Sequence, residues 1–228
     1  MAGLESEKEL AARGAVALVQ AGMRVGLGSG STSAYAVKFL GERIAKEGLK
    51  IVGVPTSTET RTLATQVGIP LQETLEGFEL DVAIDGADQA TRGGVLIKGG
   101  GGAMLRERIV AAAAKQFVVI ADSSKLVEML GGFPLPVEVV CFGWRNAMQR
   151  LAALGCDARL RLKNGEPFRT DEGNFVIDCP FSTEILSQPE KLDQEIRGIA
   201  GVVEHGLFRG MAERLIVARG NTVEVIVF

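Results

Sequence analysis

The 228-residue sequence has few of the side chains on which metal sites, disulfide frameworks and aromatic stacking depend. It contains one histidine, three cysteines, one tryptophan and one tyrosine. The cysteines are odd in number and lack a CxxC spacing, which favours free thiols in an intracellular protein over a disulfide framework. We expect the histidine, His205, to be a packing or surface residue. Proton-transfer chemistry would then fall to carboxylates and lysines.

The sequence also lacks an excess of basic charge, because it has 25 lysine and arginine residues and 28 acidic residues, which gives a net charge of −3. General binding to nucleic acid needs concentrated Lys and Arg, so the composition argues against it, whereas a small anionic substrate needs only one or two local cations. No apolar run reaches the ~18 residues of a transmembrane helix. The N-terminal sequence MAGLESEKEL is too polar for a signal peptide, so we expect a cytoplasmic protein.

What the sequence does contain is an alternation of apolar strands and helical segments over its first 122 residues. Continuously apolar strands separated by helices predict a Rossmann-like α/β fold, with a parallel sheet covered by helices on both faces. The predicted strands are 23–28, 50–55, 80–85, 95–98 and 116–122, and the predicted helices are 5–20, 31–46, 57–68 and 103–114.

The character of the chain changes at GGFPLPVEVV (131–140), which has two glycines and two prolines. Residues 131–205 predict a smaller α+β domain, ferredoxin-like in type, which we expect at an oligomer interface. The closing segments LIVAR and TVEVIVF predict strands that return to the main sheet. The α/β domain would therefore comprise residues 1–130 and 206–228.

The segment GLGSGSTS (26–33) lies between a predicted strand and a predicted helix. Glycines let backbone N–H groups point inward and a helix N-terminus adds positive potential, so this turn favours a phosphate group. A tight turn without a ligand is the simpler alternative. A dinucleotide site is disfavoured, because serine stands at the sixth position of G-x-G-x-x-G and the next strand lacks the ribose-binding acid.

Two acids three residues apart, Asp85 and Asp88, follow a predicted strand in the motif DGAD. Ligands of open α/β sheets gather at the carboxyl ends of strands, and Gly86 and Ala87 leave room for one to approach. An acidic turn or helix cap is the alternative without a ligand. A divalent cation at this pair is disfavoured, because no third acid or histidine lies nearby.

The segment LIKGGGGAMLRE (96–107) supplies a lysine, four glycines and a glutamate. Lys98 ends an apolar strand, and the glycines let the backbone wrap a substrate. Glu107 falls early in the next helix, where partial burial would raise its pKa and suit it to remove a proton from carbon. Lys98 would then stabilise a developing enediolate oxygen. The alternative is that Glu107 only stabilises the helix start through the macrodipole.

The segment ADSSK (121–125) follows another apolar strand. Ser123 and Ser124 suit a helix cap, from which Lys125 would reach a phosphate. An ordinary surface lysine is the alternative.

The ordered set GLGSGSTS, VPTS, DGADQ, LIKGGGGAMLRE and ADSSK closely resembles the type A ribose-5-phosphate isomerase family. The segments PVEVV, FGWR and GVVEHGLF extend the likeness to nearly the whole chain. The resemblance implies interconversion of ribose 5-phosphate and ribulose 5-phosphate in the pentose phosphate pathway. It also implies that no metal or organic cofactor is needed and that the protein is a homodimer or homotetramer.

The resemblance implies a role for each motif. Glu107 matches the base that moves a proton between C2 and C1 through a cis-enediolate, and Lys98 matches the lysine near the reacting oxygens. Asp85 and Asp88 match acids that contact sugar hydroxyls, with Asp85 preferred as the helper in ring opening. The implied substrate-binding residues are Ser29, Gly30, Ser31, Thr32, Asp85, Gly86, Ala87, Asp88, Lys98, Gly99, Gly100, Gly101 and Lys125, and a looser match adds Lys8.

The chain departs from the family pattern at two positions. Ser29 replaces the threonine of the usual GTGST turn and keeps its hydroxyl. Gln89 replaces the last acid of DGADE, which removes a charge beside Asp88 and Lys98.

Two other classes of protein are alternatives. A non-catalytic sugar-phosphate sensor on a related fold would carry a DNA-binding helix pair, for which the sequence has no long basic N-terminal segment. An acyl-CoA transferase also uses a glutamate, but its covalent chemistry does not call for the DGAD pair together with Lys98.

Overall fold

The computed structural model describes residues 3–72, 77 and 79–228. Its helices are α1 (Leu4–Val16), α2 (Ser31–Glu47), α3 (Thr58–Gln66), α4 (Met104–Ala112), α5 (Trp144–Ala152), α6 (Thr183–Leu186) and α7 (Pro189–Arg197), with a 3₁₀ turn at Ser123–Lys125. Its strands are β1 (Arg24–Leu27), β2 (Val52–Pro55), β3 (Val82–Gly86), β4 (Gln89–Thr91), β5 (Leu96–Ile97), β6 (Phe117–Asp122), β7 (Leu126–Val127), β8 (Leu135–Val139), β9 (Arg159–Leu160), β10 (Leu162–Lys163), β11 (Glu166–Pro167), β12 (Phe175–Cys179), β13 (Val202–His205), β14 (Leu207–Phe208), β15 (Arg214–Arg219) and β16 (Thr222–Val227).

The largest sheet has six strands in the order β16-β15-β6-β3-β1-β2. Neighbouring strands are parallel except for β15 and β16, which form an antiparallel hairpin at one edge. The parallel pairing of β15 with β6 confirms that the C-terminal strands return to the main sheet. The fold is therefore a mixed α/β structure with a mainly parallel sheet.

Both faces of this six-stranded sheet are covered by other elements. Each strand contributes to both faces, because successive side chains along it point to opposite sides. Val118 and Ile120 of β6 pack with α1 and α2 on one face. Phe117 and Val119 belong to the cluster on the other face, which also contains residues of α4. Leu96 from β5 joins that second cluster, so a small sheet as well as a helix covers this side.

The strand predicted at 95–98 is not part of the parallel sheet, which corrects the expectation for this segment. Leu96–Ile97 (β5) pairs antiparallel with β4 and β14, in a four-stranded sheet of order β14-β5-β4-β7. Both residues are fully buried, and burial of a short apolar run is equally compatible with either sheet. The consequence is that Lys98 approaches the site from the second sheet.

A further antiparallel sheet, of order β13-β8-β12-β9, lies within residues 135–205. Val137 of β8 and Ile177 of β12 are fully buried in a hydrophobic cluster with residues of α5 and α7. Strands β10 and β11 form a separate hairpin. The same cluster includes Ile97 of β5 and Leu207 of β14, so the apolar core of this part is continuous with the β14-β5-β4-β7 sheet.

No helix within the described residues is long and apolar enough to cross a membrane.

Candidate active site

A cavity of about 120 Å³ lies where the ends of β1 and β3 meet the loop after β5. Its walls are Ser29, Gly30, Ser31, Thr32, Gly86, Ala87, Asp88, Lys98, Gly99, Gly100, Gly101, Glu107 and Lys125. The folding of the chain therefore brings together segments that are far apart in the sequence. Asp85 does not line this cavity, although the sequence assigns it to the site, and its side chain is buried (2% exposed).

Lys98 lies at the centre of a buried charge cluster formed with Asp85 and Glu107. Its Nζ is 2.9 Å from Oδ2 of Asp85 and 3.4 Å from Oε2 of Glu107. It also donates a hydrogen bond to the Gly86 carbonyl oxygen at 2.5 Å. Lys98 is 2% exposed and Glu107 is 6% exposed. One cation therefore serves two carboxylates where little water screens them, which makes their interactions strong.

Local structure explains why these side chains converge. The Lys98 N–H donates to the Gly206 carbonyl oxygen at 2.8 Å, which fixes the backbone at the lysine. A Cβ at position 206 would overlap the Lys98 carbonyl, so only glycine permits this approach. Glu107 lies in the first turn of α4. Because side chains on a helix tilt toward its N-terminus, Glu107 points back to the loop that carries Lys98.

Asp85, near the end of β3, is held by protein groups on both of its carboxylate oxygens. Its Oδ1 accepts hydrogen bonds from the Ser29 N–H at 2.9 Å, the Ser33 hydroxyl at 3.0 Å and the Gly86 N–H at 2.7 Å. Its Oδ2 accepts from Lys98. The carboxylate is thus placed to hold Lys98 in position.

Burial and charge shift the pKa values of the cluster. Burial raises the pKa of Glu107 to about 8; the carboxylates of Asp85 and Asp88 act in the same direction, and Lys98 opposes them. Burial by itself lowers the pKa of Lys98, but the charges of Asp85 and Glu107 outweigh it and raise that pKa to about 12. At neutral pH, Lys98 is a cation and Glu107 is near its titration point. Such a carboxyl group can both take and return a proton.

Of the two acids in DGAD, Asp88 is the one that lines the cavity. Its Oδ2 accepts a hydrogen bond from the Gly100 N–H at 2.7 Å. Burial raises the pKa of Asp88 above its ordinary value, against the lowering effects of that N–H and of nearby cations. The two acids therefore differ, since Asp85 is enclosed by protein groups and Asp88 faces the cavity.

Another part of the cavity wall is the α2 turn, which we define as Ser29–Thr32. Gly30 has a φ of 88° immediately before α2, a conformation that favours glycine. The first N–H groups of a helix have no partner within it and carry positive potential. Ser29, the residue that replaces threonine, uses its hydroxyl in a 2.7 Å hydrogen bond with the Thr56 hydroxyl. The turn can therefore offer backbone donors to an anion.

Lys125 ends the 3₁₀ turn after β6 and lines the same cavity. Two acids hold this turn, because Asp122 Oδ1 accepts from the Ser124 N–H and Glu7 Oε2 from the Ser123 N–H, both at 2.9 Å. Lys125 has no ion-pair partner within the described part of the chain. A half-buried lysine in this situation is available to a negatively charged ligand.

A protein-family model, described as ribose 5-phosphate isomerase A (phosphoriboisomerase A), matches residues 52–222. The matched range contains DGAD, Lys98, Glu107 and Lys125. The chain belongs to the ribose-5-phosphate isomerase A family.

Relatives in this isomerase family match the chain over nearly its full length. A protein named ribose-5-phosphate isomerase A from Synechococcus sp. (strain JA-3-3Ab) is 49% identical over 229 residues, which cover 99% of this chain and 99% of that protein. The structure of ribose 5-phosphate isomerase A from Methanocaldococcus jannaschii superposes with a TM-score of 0.93 at 40% identity and covers 99% of this chain and 100% of its own. A D-ribose-5-phosphate isomerase solved in complex with phospho-erythronic acid gives a TM-score of 0.95 at 35% identity, with 100% coverage of both chains. The fold is that of the ribose-5-phosphate isomerase A family.

Gln89, which departs from the isomerase family pattern, is directed to the start of the 131–140 segment. Its Nε2 donates to the Gly131 carbonyl oxygen at 2.6 Å, and the Gly131 N–H donates to its Oε1 at 3.0 Å. A carboxylate could only accept, so it would lose the first of these bonds. The amide at this position therefore fixes a neighbouring segment of the chain.

Two residues that the isomerase motifs did not single out also shape the site. Ser33 donates to Asp85, as described above, and accepts from the Gly86 N–H at 2.9 Å; its place inside GLGSGSTS was a usable signal. Arg161 donates from Nη1 to the carbonyl oxygens of Gly99 and Gly100, at 3.2 and 2.9 Å. It lies in the segment RLRLK, in which no motif distinguishes it from its neighbours.

Other candidates from the sequence lie outside the isomerase cavity. Lys8, the looser match, does not line it, and its Nζ lies 2.6 Å from Oε1 of Glu5. His205 is fully buried, 3.0 Å from Asp193, which makes it a packing residue. The three cysteines are free thiols. Within the described residues, no group of three or more His, Cys, Asp or Glu side chains is arranged to hold a metal ion.

Proposed function

We propose that this chain interconverts D-ribose 5-phosphate and D-ribulose 5-phosphate through a cis-enediolate, with Glu107 as the base. The observation that carries this proposal is the Glu107 carboxyl group, which is buried in the cavity wall, has a pKa raised to about 8 and lies 3.4 Å from Lys98. Family membership and the names of the relatives supply the substrate.

The phosphate group of the substrate binds between the α2 turn and Lys125. The first backbone N–H groups of α2 and the hydroxyls of Ser31 and Thr32 are donors suited to phosphate oxygens. Lys125 adds a positive charge without an ion-pair partner among the described residues. This end of the substrate keeps the same charge throughout the reaction, so it anchors the sugar.

Asp88 assists the opening of the furanose ring by taking the proton of the C1 hydroxyl as the C1 carbonyl forms and the C1–O4 bond breaks, and it then passes this proton to the former ring oxygen, O4. The family resemblance implied Asp85 for this step. We assign it to Asp88 because Asp88 lines the cavity, whereas Asp85 is 2% exposed and engaged by protein donors on both oxygens. Asp85 instead acts as a positioning residue for Lys98.

In the open-chain aldose, Glu107 removes the proton from C2 and the electron pair moves to the C1 oxygen. The resulting enediolate oxygen is stabilised by the ammonium group of Lys98, which is already fixed before the charge develops. The proton on O2 passes to O1, and Glu107 returns its proton to C1 to give the ketose. A carboxyl group that titrates near neutral pH suits both halves of this shuttle.

We further propose that residues 1–130 and 206–228 form the catalytic domain and residues 131–205 a ferredoxin-like domain at the interface of a homodimer or homotetramer; residues 1–2, 73–76 and 78 lie outside the described part. The element order β8-α5-β9-β12-α7-β13 with the sheet order β13-β8-β12-β9 supports the ferredoxin-like assignment. Phe142 (94% exposed) and Leu162 (57% exposed) provide apolar surface for an interface. Light scattering of the purified protein measures its subunit number.

An isomerase assay tests the proposed function. Purified protein is incubated with ribose 5-phosphate, with and without EDTA, and ribulose 5-phosphate is quantified. We expect turnover that EDTA does not change, because every group in the proposed steps is a side chain or backbone donor. Tight binding of ribose 5-phosphate without any turnover would contradict the proposal and favour a sensor.

A further inference from the structure

We propose that Arg161, held in place by Asp178, is a positioning residue that orients the glycine loop (Gly99–Gly102) against Asp88. This inference rests on the proposed isomerase function. It adds a residue from outside the motif-bearing segments to the machinery of the site, and it makes residues 135–205 part of that machinery.

The guanidinium group of Arg161 connects two parts of the molecule. Its Nε and Nη2 donate to the two carboxylate oxygens of Asp178, at 2.9 and 2.5 Å. Its Nη1 donates to the carbonyl oxygens of Gly99 and Gly100, at 3.2 and 2.9 Å. A bidentate pair with a carboxylate fixes the plane of the guanidinium, so the direction of Nη1 is fixed as well.

The peptide unit between Gly99 and Gly100 transmits this contact to the cavity. The Gly99 carbonyl and the Gly100 N–H belong to one planar trans unit and point in opposite directions. Arg161 holds the carbonyl, and the N–H donates to Oδ2 of Asp88 at 2.7 Å. Consecutive hydrogen bonds of this kind polarise one another, so the hydrogen bond from the Gly100 N–H to Asp88 is strengthened as well as oriented.

Arg161 itself lies on fixed backbone. Its N–H donates to the Val176 carbonyl oxygen at 2.8 Å, and its own carbonyl accepts from the Phe168 N–H at 2.9 Å. The Phe168 ring lies so close to Gly102 that a Cβ there would overlap it. The glycine loop is therefore held near both of its ends, by Arg161 at Gly99 and Gly100 and by Phe168 at Gly102.

The chemistry of arginine is specific to this arrangement. Its planar fork carries five N–H donors, so one side chain can bind a carboxylate bidentately and still serve two carbonyl groups. A lysine keeps the charge but is a single point donor that cannot make all four contacts in these directions. Replacement by lysine therefore separates the positioning effect from the charge effect.

The test compares Arg161→Lys, Arg161→Met and Asp178→Asn with wild type, using kcat and KM for ribose 5-phosphate, the pH profile of kcat/KM and Tm. Arg159→Met is the matched control, because Arg159 is two residues away and its side chain is 75% exposed. We expect Arg161→Met and Arg161→Lys to lower kcat/KM between about tenfold and a hundredfold, as displaced catalytic groups do. Asp178→Asn should act in the same direction, and the control should match wild type.

The pH profile distinguishes orientation from general structural support. The charged groups that face Asp88 are Lys98, Lys125, Arg161 and Glu107. Loss of the Arg161 charge raises the pKa of Asp88 further, so the part of the acidic limb that reports Asp88, as distinct from Glu107, should move to higher pH in Arg161→Met and stay closer to wild type in Arg161→Lys. An active wild type with unchanged rates and profiles in all three variants would overturn the inference. An inactive wild type would instead overturn the proposed function.

Discussion

The two parts of the cavity wall are built from different groups. Around Lys98 and Glu107 the polar groups are side-chain charges that are 2% and 6% exposed. Around the α2 turn they are backbone N–H groups and hydroxyls, joined by the half-buried Lys125. Buried charges depend on one another for stability, whereas backbone donors are fixed by the helix at any pH. In the proposed reaction, the chemistry would therefore depend on a few coupled groups, and phosphate binding would depend on several independent ones.

Removal of Lys98 should break the charge cluster and produce the largest effect. The variant Lys98→Met leaves Asp85 and Glu107 buried without their shared cation. We expect the free energy of unfolding to fall by about 3 kcal/mol, because an uncompensated buried charge remains. Isomerase activity should fall by more than about a hundredfold, since the enediolate loses its cation. Chemical denaturation and kcat measure the two effects.

Lys115→Met is the control for this variant, because Lys115 is 56% exposed and pairs at the surface with Asp81. It should stay within about 0.5 kcal/mol of wild type, as surface substitutions generally do. If Lys98→Met were as stable as wild type, Lys98, Asp85 and Glu107 would not be a coupled charge cluster.

Removal of Lys125 should affect substrate binding and leave the chemical step unchanged, in contrast to removal of Lys98. For Lys125→Gln we expect KM for ribose 5-phosphate to rise about tenfold, which corresponds to the loss of one charge-assisted hydrogen bond. The value of kcat should stay within about twofold, since the phosphate keeps its charge during the reaction. Increasing salt should raise KM less steeply in the variant than in wild type.

Lys163→Gln, an exposed change in the β10–β11 hairpin, is the control for Lys125→Gln. It should leave KM unchanged. A lower kcat in Lys125→Gln at unchanged KM would assign this lysine to the chemical step. It would contradict the division of the cavity wall into a chemical part and a phosphate-binding part.

The third expected effect develops gradually over several pH units and is a change in how stability depends on pH. The pKa of Glu107 is raised from 4.5 to about 8 in the folded protein. Between these values the folded state holds a proton that the unfolded state has released, so stability falls as pH rises through this window. Each pH unit there costs the wild type up to about 1.4 kcal/mol.

Glu107→Gln should remove this slope, so its stability relative to wild type should increase from pH 5 to pH 8, as followed by urea denaturation. Parallel curves for the two proteins would show that Glu107 is not buried as a weak acid.

The parts of the site that follow strands could be predicted from the sequence. DGAD and GLGSGSTS each come directly after a buried apolar strand and before or within a turn, so they had to meet at the carboxyl edge of the parallel sheet. Glu107 was likewise predictable in the first turn of its helix, because the run of four glycines before it disfavours a helix. Local pattern and sheet geometry were sufficient for these residues.

Three other features depend on tertiary structure. The apolar run before Lys98 belongs to a second sheet, and a two-residue strand carries no signal for its partner. The difference between Asp85 and Asp88 arises from Ser33 and Lys98, which approach Asp85 from other elements. Arg161 reaches the glycine loop from a segment more than 60 residues away, and its own neighbours in sequence give no indication of this contact.

Turnover by Glu107→Gln is the most direct test of the central claim, that a buried carboxyl group moves the proton. Ribose 5-phosphate binding is measured by calorimetry and the fold by circular dichroism, alongside kcat for ribulose 5-phosphate formation. We predict that kcat falls by about 10³-fold, as expected for loss of a general base, while the dissociation constant and the spectrum remain those of wild type. A folded variant that still isomerises ribose 5-phosphate at nearly the wild-type rate would contradict the account.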